Sequence, residues 1–401
     1  MDKFRLAQIN KYNVIRCLIR ESPINRAIIA KRTELSIPTV MSIVNTLCEK
    51  GFIRSIGKGK SSGGKPPEML EIVADRLFYI GVDIGRTTIR IVANDAMSRQ
   101  IACLREPTGK TIPERAFVER LSRLIIKFTS SIHAEKSRIM GVGVAMPGLI
   151  ENGTGKVLFS PDFEWVNVPL KVWLEKLLPF YLLVENANRV LALNESVSAK
   201  MDEPLYTTFA VNLGYGIGGA LVIGEDLYKG ASGSSGEIGH FIINREGPLC
   251  KCGNRGCLES LSSGAAIALQ AQEAVRKGIP TKIAGLAGKE SAIDAACVFR
   301  AANLGDKTAL KIIGRAAENI GIGLSMAINL LDPDRLILCG GLMKNGPLFF
   351  EKIKTSIGKH TMWQAGREVV ISIGIKGEYS TANGACRVLA DKLWENRNLP
   401  I

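Results

Sequence analysis

"LFYIGVDIGRTTIRIVAND", Leu77 to Asp95, decides the fold. It reads as an apolar strand, a glycine turn and a second apolar strand. The same plan returns at Thr207–Gly230, in "TTFAVNLGYGIGGALVIGEDLYKG". Two more apolar runs end on glycine: "RIMGVGVAMPGLI" at Arg138–Ile150 and "PDRLILCGGL" at Pro333–Leu342. Helical patterns separate these units, and alternating strands and helices imply an α/β architecture with ligands at glycine-rich strand ends. The repetition near residues 80 and 210 predicts two similar halves. Such halves form a cleft where backbone N–H groups can meet phosphates. Each glycine, taken alone, equally serves a tight turn.

Ahead of residue 76 the pattern is different. Ile9, Val14, Ile15, Leu18 and Ile19 line one face of a first helix that ends near Glu21-Ser22-Pro23. Ile24, Ile28 and Ile29 give a second, short helix. Ser36 is placed to cap a third, with Pro38 in its first turn, Val40, Val44 and Leu47 facing inward and Gly51 as its stop. That order is a helix-turn-helix, whose last helix enters the major groove. Its outward residues are Pro38, Thr39, Ser42 and Asn45, the candidates for base and phosphate contact. Phe52–Ile56 and Glu68–Ile72 read as paired strands around "GKGKSSGGKPP", a β-wing. Lys58, Lys60 and Lys65 are placed to reach phosphates, and the slim backbone at Gly64-Lys65 suits the minor groove. A three-helix interaction module with a flexible linker is the alternative.

Charge agrees with the DNA reading. The chain of 401 residues carries a formal +14. Met1–Ile72 holds thirteen Lys and Arg against six Asp and Glu, so half the surplus sits in this short segment. Positive charge of this kind argues for a polyanion partner, not for a fold. The 46% hydrophobic and 22% charged content fits an ordinary soluble globular protein of two or three domains. Met1–Lys11 is polar and basic, without the form of a secretory signal, and no apolar run is long enough to span a bilayer. A cytoplasmic protein without a membrane partner is expected. Cys17, Cys48, Cys103, Cys297, Cys339 and Cys386 read as small buried hydrophobes. Cys250, Cys252 and Cys257 cluster at a spacing that suggests a metal rather than disulfides.

From its start almost to its end the chain resembles the ROK family, which groups sugar-responsive repressors, open reading frames and sugar kinases. The matching stretches are "GVDIGRTT", "GVGVAMPGLIENGTGKV", "VENANRVLALNE", "NLGYGIGGALVIGEDLYKGASGSSGEIGH", "CKCGNRGCLES" and "DPDRLILCGGL". The resemblance implies a duplicated actin/hexokinase-like (ribonuclease H-like) two-lobed α/β fold with a sugar cleft. Regulatory members carry the additional N-terminal winged helix. The expected domains are a winged helix over residues 1–75, a first lobe over 76–190 to which a C-terminal helix at 384–398 returns, and a second lobe over 191–383 with the metal site.

The resemblance also assigns residues. Glu237 and His240 of "EIGH", Glu259 after "RGCL" and Asn186 of "VENANR" line the sugar pocket. Pro147 and Gly148 shape its floor, and Asp162 stands where the family often has Asn. His240, Cys250, Cys252 and Cys257 coincide with the family's zinc motif. One imidazole and three thiolates make a closed tetrahedral set, which suits a structural ion. His240 is placed to tie the metal to the pocket through its second ring nitrogen. Kinases of the family carry an Asp directly after that Asn, where it accepts the proton of the attacking hydroxyl; this chain has Ala187. In the phosphate turn Arg86 replaces a glycine, and Thr88 replaces a basic residue. The expectation is a sugar-responsive regulator, a repressor with a non-catalytic sensor. It would bind (pseudo)palindromic operator DNA as a homodimer or higher homo-oligomer, and the sugar would close the cleft and respace the winged helices. The alternative is an active ATP-dependent sugar kinase with an accessory DNA-binding domain.

Overall fold

A computed structural model describes residues 3–60, 66–109, 113–132, 138–196, 207–345, 347–362 and 369–395. The chain divides into two compact units. The first comprises Met1–Met146, Pro169–Glu185 and Ala382–Ile401; the second comprises Pro147–Val168 and Asn186–Thr381. The winged helix thus groups with the first lobe, and Pro147–Val168 groups with the second.

In the first unit α1 (Lys3–Glu21) buries Val14, Ile15 and Leu18. Helix α2 (Arg26–Thr33) starts on Asn25, whose side chain accepts from Ile28 N. Helix α3 (Ile37–Glu49) starts on Ser36, whose hydroxyl accepts from Thr39 N at 3.3 Å; Val40, Val44 and Leu47 form its buried stripe. Gly51, at φ +73°, ends the helix in a conformation that favours glycine. Strands β1 (Ile53–Lys58) and β2 (Glu68–Ile72) pair antiparallel, and β1 runs two residues beyond the expected Ile56. A bridge between Ile24 and Leu70 ties the wing to the start of α2.

The lobe of this unit holds β3 (Phe78–Ile84), β4 (Thr88–Asp95), β5 (Gln100–Pro107), α4 (Glu114–Ser131), β6 (Ile139–Met146), α5 (Leu170–Glu175) and β10 (Leu182–Asn186). Its sheet has the order β10-β6-β3-β4-β5. Helix α13 (Ser380–Glu395), from Ala382 on, lies directly against it. A Cβ on Gly81 would sit 2.0 Å from the Ala382 carbonyl oxygen, and one on Gly143 would sit 2.4 Å from that of Ala385. These two glycines serve backbone-to-backbone contact rather than a turn. At its far end α13 meets the winged helix: Tyr12 OH donates to Asp391 Oδ1 at 3.2 Å. An apolar cavity there is lined by Ile15, Leu18, Leu47, Phe52, Leu77 and Trp394, among others.

The second unit repeats the plan. Strands β11 (Thr207–Leu213), β12 (Ile217–Ile223), β13 (Asp226–Tyr228), β14 (Arg335–Cys339) and β15 (Val370–Ile373) have the order β13-β12-β11-β14-β15. In each sheet the first strand is central, the second pairs antiparallel with it and the fourth lies parallel on its other side. This is the duplication that the repeated glycine turns predict. A small sheet of β7 (Leu149–Ile150), β8 (Val157–Ser160) and β9 (Trp165–Val168) joins the unit, together with α6 (Ala187–Ser196). Helices α7 (Leu258–Ser262), α8 (Gly264–Arg276), α9 (Ile283–Ala287), α10 (Ala295–Asn303), α11 (Lys307–Leu331) and α12 (Pro347–His360) supply its core. Phe209, Leu258, Leu324 and the edge-to-face pair Phe299–Phe349 sit at the centre of it.

Cys17, Cys297, Cys339 and Cys386 are buried as expected, but Cys48 is half-buried and Cys103 is exposed. Cys103 lies on β5, an edge strand whose alternate residues face outward, and it falls on the outward set. Among the described residues no helix is long and apolar enough to cross a membrane.

Helix α11 depends on its cap. Asp306 accepts from Ala309 N at 2.8 Å and from Lys282 N at 2.6 Å. Burial works to raise its carboxyl, but these backbone N–H groups outweigh it and hold the group below its ordinary 3.8. Asp306→Ala should cost about 1–2 kcal/mol in denaturant unfolding at neutral pH. A lowered folded-state value means the contribution is complete above the unfolded carboxylate's pKa and fades as pH falls below it. The difference between the two proteins should therefore shrink as the medium is acidified below about pH 4.

Candidate functional site

The winged helix exposes Pro38, Ser42 and Asn45 on α3, while Thr39 is half-buried. Thr39 takes part in the cap, with its hydroxyl 2.8 Å from that of Ser36. Asn45 Oδ1 accepts from Arg26 Nη2 at 3.4 Å, and Arg26 also pairs with Glu68 at the base of the wing. Lys58 and Lys60 are exposed along the wing. Gly64 and Lys65 lie outside the described residues.

The phosphate-type turn of the first unit is closed on itself. Gly85 N donates to Thr88 O at 3.0 Å, and Thr108 Oγ1 donates to Gly85 O at 2.6 Å. Asp83, at the head of the turn, is buried and stands opposite Arg90 in the β3–β4 register, with Arg90 Nη1 3.2 Å from its Oδ2. Burial pushes the Asp83 carboxyl up to about 6, against the pull of Arg90. Arg90 escapes a motif search because the alternation of "TIRIV" reads as strand.

The second unit gathers most of the expected pocket residues. Gly148, at φ +111°, packs so closely on β8 that a Cβ would lie 2.3 Å from Phe159 O. Ser160 Oγ donates to Pro147 O at 2.7 Å, and Asn186 Nδ2 donates to Gly148 O at 2.8 Å. Asn186 Oδ1 in turn accepts from Asn188 N and Arg189 N and so caps α6. Its amide is thereby committed to scaffold bonds on both sides. Ala187 is the first residue of the helix.

Arg189, one turn in, is almost fully buried and donates to Gly233 O in the loop that leads to Glu237. Burial raises the Glu237 carboxyl above the usual range, and His240 and Arg189 oppose the shift. Glu259, at the start of α7, accepts from Ile217 N at 2.8 Å. Its carboxyl is also raised by burial and senses Asp162, His240 and Lys251. Asp162 is paired with Lys251, Nζ to Oδ1 3.3 Å. The structure therefore brings Glu237, His240, Glu259 and Asp162 together, with Arg189 and Lys251 as two cations that the motifs did not single out. Arg189 is visible in sequence only as one charge inside an apolar helix, and Lys251 only as a spacer between cysteines.

Beside the carboxylates lies a cluster of one imidazole and three thiols, the candidate metal centre. The ligand atoms of His240, Cys250, Cys252 and Cys257 all lie within 4.8 Å of one another. Cys252 Sγ and Cys257 Sγ are 3.6 Å apart, and Cys250 Sγ is 3.7 Å from His240 Nδ1. The opposite ring nitrogen, Nε2, faces Glu237 Oε2 at 3.8 Å. Burial pushes the Cys257 thiol up to about 12 and raises that of Cys250. Without a cation such thiols stay protonated, whereas a bound metal takes them as thiolates. Three thiolates and an imidazole are compatible with a structural zinc.

The ROK family model matches residues 79–392, and a model described as winged helix-turn-helix DNA-binding matches residues 8–54. The chain is 29% identical to a xylose repressor of Caldicellulosiruptor bescii over 361 residues, covering 89% of each. It is 31% identical to a glucokinase of Halalkalibacterium halodurans over 283 residues, which is 70% of this chain and 85% of that protein. A crystal structure of a ROK family transcriptional regulator, a homologue of the E. coli MLC protein, superposes with a TM-score of 0.82 at 22% identity, covering 98% of this chain and 97% of that one.

The bonding of Asn186 makes a separable prediction. Asn186→Ala removes the α6 cap and the tether to Gly148, and should cost about 1–2 kcal/mol in urea unfolding with no ligand present. Asn186→Asp, which keeps the acceptor, should recover part of that loss. A stability unchanged in the alanine variant would mean that these bonds do not hold the helix.

Proposed function

The chain belongs to the ROK family, and from that premise we propose that it is a sugar-responsive DNA-binding repressor whose kinase-like part senses a sugar without phosphorylating it. One observation carries the reading: a capped helix with exposed Pro38, Ser42 and Asn45 stands in the same chain as a sugar-kinase fold that has Ala187 after Asn186. Residues 1–75 form the DNA-binding head. Thr39, Ser42 and Asn45 read base edges beside Pro38, and Lys58, Lys60, Gly64 and Lys65 serve the backbone and minor groove. Glu237, His240, Glu259 and Asp162 hold hydroxyls of the effector, on a floor built by Asn186, Pro147 and Gly148. Carboxylates suit this task because each accepts two hydroxyl bonds.

Catalysis fails on this reading for want of a base. A methyl group at Ala187 takes no proton, and a positioned general base is worth about 10²–10⁴-fold. Asp83 is engaged by Arg90, and Arg86 stands where the kinases of the family carry a glycine that lets backbone approach phosphate. The protein acts in the cytoplasm as a homodimer or higher homo-oligomer on a (pseudo)palindromic operator, and sugar binding shifts the population between states of different operator affinity. The similarity to a glucokinase favours the other reading, an active sugar kinase with a DNA-binding accessory.

One experiment separates the two. The full chain is used to select DNA from a random pool, and binding is followed by anisotropy with D-xylose, D-glucose or N-acetylglucosamine added. Specific binding that at least one sugar alters, with ATP turnover at background, is the expected result. Lys58→Ala and Lys60→Ala should each flatten the salt dependence by about one unit. Phosphorylation of any of these sugars near 1–100 per second, roughly the kinase range, would overturn the sensor reading.

The Cys3His cluster is proposed to hold one zinc ion per chain through His240, Cys250, Cys252 and Cys257. Four protein ligands leave no open position, so the ion would brace the loop that carries Glu259 and orient His240 towards Glu237. Freshly purified protein should contain stoichiometric zinc by elemental analysis. Cys252→Ala should lose it and bind sugar more weakly.

A further inference from the structure

Lys251 stands between two of the proposed metal ligands, yet its side chain belongs to the pocket. The knuckle around it is held by Cys250 N donating to Asn254 O at 2.7 Å and Gly253 N donating to Cys250 O at 2.9 Å. A bridge between Leu249 and Arg255 closes the same turn. From this fixed base the ammonium reaches two elements. It lies 3.3 Å from Asp162 Oδ1, in the turn after β8. It lies 5.9 Å from the centre of the Tyr215 ring, in the β11–β12 turn.

We infer that Lys251 is a positioning and specificity-determining residue for the effector: it fixes the Asp162 carboxylate at the rim of the pocket and adds a donor beside it, so that the metal knuckle sets how tightly the sugar is held. This inference rests on the sugar-sensor reading. The chemistry follows from the groups present. Glu237, Glu259 and Asp162 can only accept hydrogen bonds when ionised, whereas a hydroxyl both donates and accepts. A lysine next to Asp162 supplies a donor at the rim, so the pair matches two adjacent hydroxyls, donating to one and accepting from the other. A divalent ion with three thiolates and a neutral imidazole would keep one negative charge, and the same knuckle carries two cations, Lys251 and Arg255. Stability is not the purpose of the Lys251–Asp162 pair. The Lys251 side chain is 54% exposed, and an ion pair so open to water contributes little to folding. The same openness leaves both groups within reach of a ligand.

The test uses the full, zinc-loaded chain and calorimetric titration with D-xylose, D-glucose and N-acetylglucosamine. Lys251→Met keeps the apolar stem and removes the charge. It should weaken the sugar that the unmodified chain binds by about fivefold, the upper end for an exposed pair. Lys251→Arg should restore most of the affinity. In an Asp162→Asn background, Lys251→Met should cost less than in the unmodified chain, which marks the two as coupled, and strictly additive losses would overturn the positioning role. Zinc content and melting temperature should match the unmodified chain throughout. Unchanged sugar affinity in Lys251→Met overturns the inference alone, and so does a loss of affinity that comes with lost zinc or a lower melting temperature, since that is a structural role. An unmodified chain that binds none of the three sugars overturns the sensor reading and this inference with it.

Discussion

Helix α6 is held by polar bonds at both ends, and the candidate pocket hangs on them. Its first turn is capped by Asn186, which also grips the Pro147-Gly148 turn. Arg189 reaches from the same turn to the loop that leads to Glu237. At its other end the buried Glu195 accepts from Ser380 Oγ at 2.7 Å and from Ile375 N at 3.0 Å, while Asn194 donates to Ser380 O. A buried carboxylate and a buried guanidinium are costly unless bonded. Here each is bonded, so the helix has little freedom to move without breaking several bonds at once. The candidate site is therefore a set of carboxylates on a well-bonded frame.

Much of this was legible in the sequence. The strand–glycine–strand repeat predicts the duplicated sheet, because a period of two and a glycine turn are local facts. The capping of α3 by Ser36 was equally visible. The cysteine knuckle gives its metal reading from spacing alone, since three thiols so close in sequence have few ways to stay apart. What could not be read are charges placed by tertiary contact. Arg90 looks like one residue of a strand until its register partner proves to be Asp83. Arg189 looks like a break in an apolar helix until the 230–236 loop folds over it. Cys103 reads as buried because its neighbours are apolar, but only the strand's position at the edge of the sheet decides which face meets water.

Glycine has two distinct uses in the chain. At Gly51 and Gly148 it supplies a left-handed backbone. At Gly81 and Gly143 it removes a side chain so that a helix can lie on a sheet. A motif shows the letter in both cases and not the reason. Carrying function over from motif to motif is therefore weakest at its glycines, and stronger where the side chains themselves limit the chemistry, as with three thiols and an imidazole drawn together.

The contact between Tyr12 and Asp391 spans 379 residues of sequence. On α13 Asp391 is an acceptor for Tyr12 of α1, and Trp394 walls the apolar cavity that Ile15, Leu18 and Phe52 also line. The helix that lies on the sheet of the first lobe thus also touches the winged helix. A shift of α13 along that sheet would be felt at α1, so head and lobe answer to one helix.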